Sequence, residues 1–187
     1  MAVKTMAKNT GTGQYNAGWH ELTISKAVDG KWTDKRVIDL NFENYPDNMR
    51  HRVFESTNKT TGEEFKIANL FRFACAGIIS VLQDPTGKNP VIQYDDEVTN
   101  LVGTRVNVLF VKETSTTDGK EYSKVFDLVP VTQETEHLTW TDDDVARLKK
   151  NVERQHAKRT ATTTNGVGTV TLDTTTTTTG NAEEIPF

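Results

Sequence analysis

The chain has 187 residues, a formal net charge of −4 and one cysteine, Cys75. That length suits one domain with appendages. A single thiol excludes an intramolecular disulfide and fits a reducing compartment, and no run approaches the eighteen apolar residues of a membrane span. The mild acidity excludes a uniformly basic nucleic-acid binder. It averages over segments of opposite sign, however: an acidic C-terminal tail, an acidic Thr141–Asp144 and a basic Arg147–Arg159, so a nucleic-acid partner stays open.

Residues 1–14 are rich in Thr, Lys, Asn and Gly and read as a disordered N-terminus; Met1-Ala2-Val3-Lys4 lacks the charged-then-apolar pattern of a signal peptide. From Trp19 the residues alternate, which predicts a strand with Leu22 and Ile24 inward. Val28-Asp29-Gly30-Lys31 reads as a turn, because Asp-Gly supplies the positive φ that tight hairpins need. Lys35–Phe42 then returns as a second strand with Val37, Leu40 or Phe42 on the core side. Another hairpin is expected around Thr57–Gly62, between His51–Ser56 and Glu64–Ile67.

From Ala68 to Gln83 apolar residues recur every three or four positions (Leu70, Phe71, Phe73, Ala74, Gly77, Ile78, Val81, Leu82), which predicts one buried helix, capped by Asn69 and ended by Asp84-Pro85-Thr86-Gly87. Strand alternation resumes over Thr104–Glu113, turns at Asp118-Gly119 and continues through Glu121–Val131. Five or six antiparallel strands with one inserted helix, over residues 15–132, predict a mainly β fold: a Greek-key barrel of the oligonucleotide-binding type, with a split β-sandwich as the competing architecture. Thr141-Asp142-Asp143-Asp144 opens a further helix, expected within residues 133–159, with an N-cap and acids that complement the helix dipole. Its stripe of Val145, Leu148 and Val152 reads as packing; its cations read either as a solvated surface or as an arm for phosphate or for the tail. Residues 160–180 are Thr-rich with almost no large apolar side chain and read as a disordered linker, spanning about 25 Å on average.

Single-strand binding without sequence preference needs aromatics on which bases stack, beside cations that follow the phosphates. The candidates are Trp32 with Lys35 and Arg36, then Tyr45 with Arg50 and Arg52, then Phe54 and Lys66, and on the last hairpin Tyr122 and Lys124. No catalytic constellation can be built. The four histidines have no zinc-type spacing with Cys75, and Asp95-Asp96-Glu97 and Asp142–Asp144 are runs of acids whose side chains diverge. The expectation is a protein without enzymatic activity, cofactor or metal.

The chain ends Glu183-Glu184-Ile185-Pro186-Phe187. Pro186 restricts the backbone, Phe187 offers an aromatic anchor, and the acids pair with basic residues on a partner. This tip on a low-complexity linker closely resembles the C-terminus of bacterial and phage single-stranded DNA-binding proteins. A looser likeness to phage members runs through Gly18–Ala27, Arg36–Phe42 and Leu101–Val108. The resemblance implies a barrel that coats single-stranded DNA in replication, recombination and repair in the host cytoplasm, while residues 181–187 recruit partner proteins. Only two acids precede Ile185, which implies a weaker hold of the tail on its partners; the helices before Asp84 and after Thr141 depart from the bacterial pattern, which points to a monomer or homodimer rather than a tetramer. A recombination mediator or nuclease accessory acting through protein contacts is the alternative, and a metal-dependent nuclease using the aspartate runs is a third reading.

Overall fold

The computed structural model describes residues 15–82 and 90–164, with side chains as far as residue 160. Five strands form one antiparallel sheet: β1 (Gly18–Trp32), β2 (Lys35–Phe42), β3 (His51–Phe54), β6 (Arg105–Thr114) and β7 (Glu121–Pro130), in the order β3-β2-β1-β6-β7. β1 is long enough to serve both halves. Its first residues pair with β6, Gly18 opposite Phe110, and its last pair with β2, Trp32 opposite Lys35. A bulge between Ile24 and Lys26 separates the halves, and such bulges increase local twist and bend a sheet. β3 and β7, the two edges, come into contact, and the sheet curls into a barrel-like form, as the mainly β pattern predicts.

The alternation along each strand decides what the barrel encloses. Ile24, Ile38, Leu40, Phe42, Val53, Val106, Val108, Phe110, Val125 and Leu128 face inward and form one cluster. α1 (Lys66–Ala74) plugs it between β3 and β6–β7 with Ile67, Leu70, Phe71 and Ala74. Full burial of such side chains stabilises by about 1.5–3 kcal/mol each. Sequence reasoning places one helix across Ala68–Gln83; the structure corrects this. α1 stops at Ala74, Cys75 adopts a left-handed φ of 50°, and a separate hairpin follows, β4 (Ile78–Leu82) paired with β5 (Val91–Tyr94). The amides of Cys75 and Ala76 donate to the carbonyls of Arg72 and Phe71, closing the helix end. The helix also starts without Asn69 as its cap. Glu64 instead accepts from the Ile67 and Ala68 amides at 2.8 and 2.9 Å.

Two other expectations change. Asp29-Gly30 is no turn but continuous strand, and the β1–β2 hairpin turns at Thr33-Asp34, with Thr33 at a φ of 55°. The hairpin expected around Thr57–Gly62 is reduced to a single bridge between Thr57 and Glu64. The turn at Asp118-Gly119 is found as expected, between β6 and β7. After a minimal hairpin, β8 (Gln133–Glu134) with β9 (Thr139–Trp140), comes α2 (Asp142–Thr164). Its start is the predicted one: the Thr141 hydroxyl accepts from the Asp144 amide, and the Asp144 carboxylate accepts from the Thr141 hydroxyl at 2.7 Å. Val152 and Leu148 lay α2 over Trp19, Leu109, Val111, Phe126 and Val129 on the outer face of β1, β6 and β7. The outer face of β1, β6 and β7 is thereby covered; among the described residues no helix covers the outer face of β1, β2 and β3. Among the described residues no helix is long and apolar enough to cross a membrane.

Candidate nucleic-acid interface

Beyond the bulge, Lys26, Val28, Gly30 and Trp32 of β1 point outward. Opposite them stand Asn41, Asp39, Val37 and Lys35 of β2, and opposite Val37 and Asp39 stand Phe54 and Arg52 of β3. These side chains share one face because alternation and register leave no other choice. Trp32 is 59 % exposed, Val28 43 % and Phe54 41 %. Large apolar side chains exposed together are unusual on a folded surface and mark contact sites. Val37, which the sequence assigns to the core side, is buried on this outer face, opposite Phe54.

The cations divide into two kinds. Arg50, at the start of β3, keeps 54 % of its side chain exposed and reaches Asp39 only at 3.8 Å. Lys26, level with it across the sheet, and Lys35, at the Trp32 end of the face, are also exposed. Arg52 is held. Its Nε and one terminal nitrogen donate to the two oxygens of Asp39, both at 2.6 Å, and its guanidinium lies 5.4 Å from the centre of the Trp32 ring. The hydrogen bonds from Arg52 keep the Asp39 carboxyl below its ordinary range, against a smaller opposing effect of burial.

The remaining sequence candidates lie elsewhere. Arg36 points to the opposite side of β2 from Trp32, as does its neighbour Lys31. Asp29 and Asp96 both bind the Arg36 guanidinium, tying the β1–β2 hairpin to the base of the β4–β5 hairpin and raising the arginine's affinity for its proton. Tyr45 is half-buried, stacked on Phe110 at 5.1 Å and tilted against Tyr15 at 4.8 Å, and burial raises its phenol above the ordinary range. Lys66 opens α1 on the barrel's plugged side. Tyr122 and Lys124 share an exposed face, as their parity suggests. They lie near the β6–β7 turn, beyond the end of β1 opposite Trp32, where Tyr122 donates to Asp118 and Lys124 pairs with Glu113. One face therefore gathers Trp32, Lys35, Arg50, Arg52 and Phe54, and leaves Arg36, Tyr45, Lys66, Tyr122 and Lys124 outside. The partner-docking residues Glu183, Glu184, Ile185, Pro186 and Phe187 lie outside the described residues.

Sequence reasoning missed Lys26, Val28 and Asp39 on this face. Alternation within β1 and β2 carries the signal, but a turn placed at Asp29-Gly30 removes Val28 from the strand and hides it. The aspartates considered as metal ligands have local employment. Asp96 binds Arg36, Asp142 accepts from the Thr132 hydroxyl at 2.6 Å, and Asp144 belongs to the helix cap. Among the described residues no group of three His, Cys, Asp or Glu is placed to hold a metal ion. A recess of about 450 Å³ lies between α2 and the sheet, lined by Glu21, Arg105, Asn107 and Lys149 among others, but Arg105 is already bound to Glu21 at 2.6 Å. No protein-family model matches this chain, and no match to a curated protein was found.

Proposed function

We propose that the protein binds single-stranded DNA without sequence preference, through the outer face of β1, β2 and β3, and takes no part in catalysis. One observation carries this reading: Trp32, Phe54 and Val28 stand exposed on one side of the sheet together with Arg50, Lys35 and Lys26. Exposed rings take unstacked bases, and the cations beside them attract the phosphates. A duplex keeps its bases stacked inside and has little to offer the rings. The long linker and acidic tip suit recruitment of replication, recombination and repair proteins to the coated strand, which is the role the sequence resemblance implies.

Titration of the full chain with oligo-dT, followed by tryptophan fluorescence at two salt concentrations, tests the reading. Expected are quenching, binding that weakens steeply with salt, and much weaker binding to duplex. Trp32→Ala should cost about 1–3 kcal/mol, the usual worth of one stacked base. Failure to bind oligo-dT in dilute buffer, with capture of replication or recombination proteins retained, would replace this reading with that of an accessory protein acting through protein contacts.

A further inference from the structure

We propose that Asp39 and Arg52 are positioning residues of this face: the carboxylate holds the guanidinium behind the Trp32 indole, so that the ring is presented as a one-sided platform for a base. The inference rests on reading the face as a single-strand-binding surface. It gives Arg52 a role different from that of Arg50 and the lysines.

A carboxylate in the middle of a phosphate track is at first sight misplaced, since its charge repels the ligand. Its geometry supplies the reason. Asp39 is directly opposite Arg52 across the β2–β3 ladder, and both its oxygens meet two in-plane donors of the guanidinium at 2.6 Å. Paired donors of this kind fix the plane of the guanidinium as well as its position. The side chains of both partners are largely covered, 26 % exposed for Arg52 and 18 % for Asp39, whereas Trp32 beside them is 59 % exposed. A covered ion pair thus backs an exposed ring at a cation–π distance of 5.4 Å. With one ring face taken by Arg52, the other is left for a base, and the side-chain freedom that stacking would cost is already reduced before the ligand arrives. Arg52, neutralised by a carboxylate on two of its donors, is poorly placed to take a phosphate; Arg50 and Lys35 are better placed.

The opposing accounts differ in sign. If Asp39 acts only as a negative charge, Asp39→Asn tightens DNA binding and frees Arg52 for a phosphate, which steepens the salt dependence. If it positions Arg52 and Trp32, the same change weakens binding.

The experiment measures anisotropy of labelled oligo-dT with the full-length protein, across a salt series, for wild type, Asp39→Asn, Arg52→Gln, Trp32→Ala and the double variants of each of the first two with Trp32→Ala. Thermal melts check folding, and Arg52→Gln carries the test if Asp39→Asn melts below the assay temperature. Expected is a loss of about two- to fivefold for Asp39→Asn and for Arg52→Gln at every salt concentration, the range a cation–π contact supports. The slope of log affinity against log salt should be unchanged. On the Trp32→Ala background neither change should alter affinity further.

Tighter binding by Asp39→Asn overturns the proposal. So does a slope reduced by about 0.7 in Arg52→Gln, which would mark Arg52 as a phosphate ligand, or a loss of the same size with and without Trp32. Wild type that ignores oligo-dT refutes the functional reading itself and this inference with it, whereas binding wild type with indifferent variants refutes the inference alone.

Discussion

His51 shows how one residue's environment differs from what its sequence neighbours suggest. It stands between Arg50 and Arg52 in a basic stretch, yet alternation turns it inward on β3, opposite Leu40. Burial pushes its imidazole below the usual 6.5, assisted by the positive charge of Lys66 and opposed by Asp127 and Asp39. A base whose folded pKa is depressed binds its proton more readily when unfolded. Its contribution to stability is therefore present above about pH 6.5 and is lost as pH falls through the folded value. Urea denaturation should find the protein less stable at pH 5.5 than at pH 7.5 through this group, with the difference reduced in His51→Gln. An equal difference in the variant would assign the effect to other groups. Asp39 carries the opposite charge but the same sign of pH dependence at a lower pH. Its depressed carboxyl contributes above about pH 4, and that contribution fades as pH falls further.

Among the elements, the boundary between α1 and β4 was the least legible. Leu70, Phe71, Phe73 and Ala74 do lie on a helix, but Ile78, Val81 and Leu82 continue the same spacing by coincidence and belong to a strand. The usable signals were Gly77 and the β-branched residues after it. Gly77 has a φ of 62°, and a Cβ there would stand 2.3 Å from the carbonyl oxygen of Asp95, which anchors the second arm of the hairpin. Backbone cannot retreat as a flexible side chain can. Gly77→Ala should destabilise the fold by about 1–3 kcal/mol, read from the urea midpoint, whereas Gly119→Ala, with open space around its Cβ, should cost only the φ strain. Comparable losses at the two sites would contradict the close approach at Asp95. The start of α2, by contrast, was fully legible, because Thr141 and Asp144 cap the helix through contacts three residues apart.

At the scale of the molecule, one sheet has two outer halves with different fates. α2 covers the half formed by β1, β6 and β7, and the half formed by β1, β2 and β3 keeps its aromatics exposed. Trp19 and Trp32 lie on the same outer side of the same strand. Trp19 is partly buried against α2, its indole donating to Glu153 at 2.7 Å with Lys149 over its ring. Position relative to α2, more than residue type, distinguishes a packing tryptophan from a candidate platform. The proposed division of labour between body and tip has its own test. Removing residues 181–187 should leave oligo-dT affinity unchanged or raised, since Glu183 and Glu184 are charges of the same sign as DNA, while capture of partner proteins is lost. A large fall in oligo-dT affinity would place DNA contacts in the tip and contradict this arrangement.

Strand identity, the β6–β7 turn, the α2 cap and the overall class follow from residues close together in the chain, where alternation, φ preferences and capping act over a few positions. The sharing of one face by Trp32, Asp39, Arg52 and Phe54 depends on register between three strands and on the bulge after Ile24. So does the removal of Arg36 to the other side. Register is decided by which apolar side chains the curled sheet buries together, a condition on the whole sheet that short-range pattern does not contain.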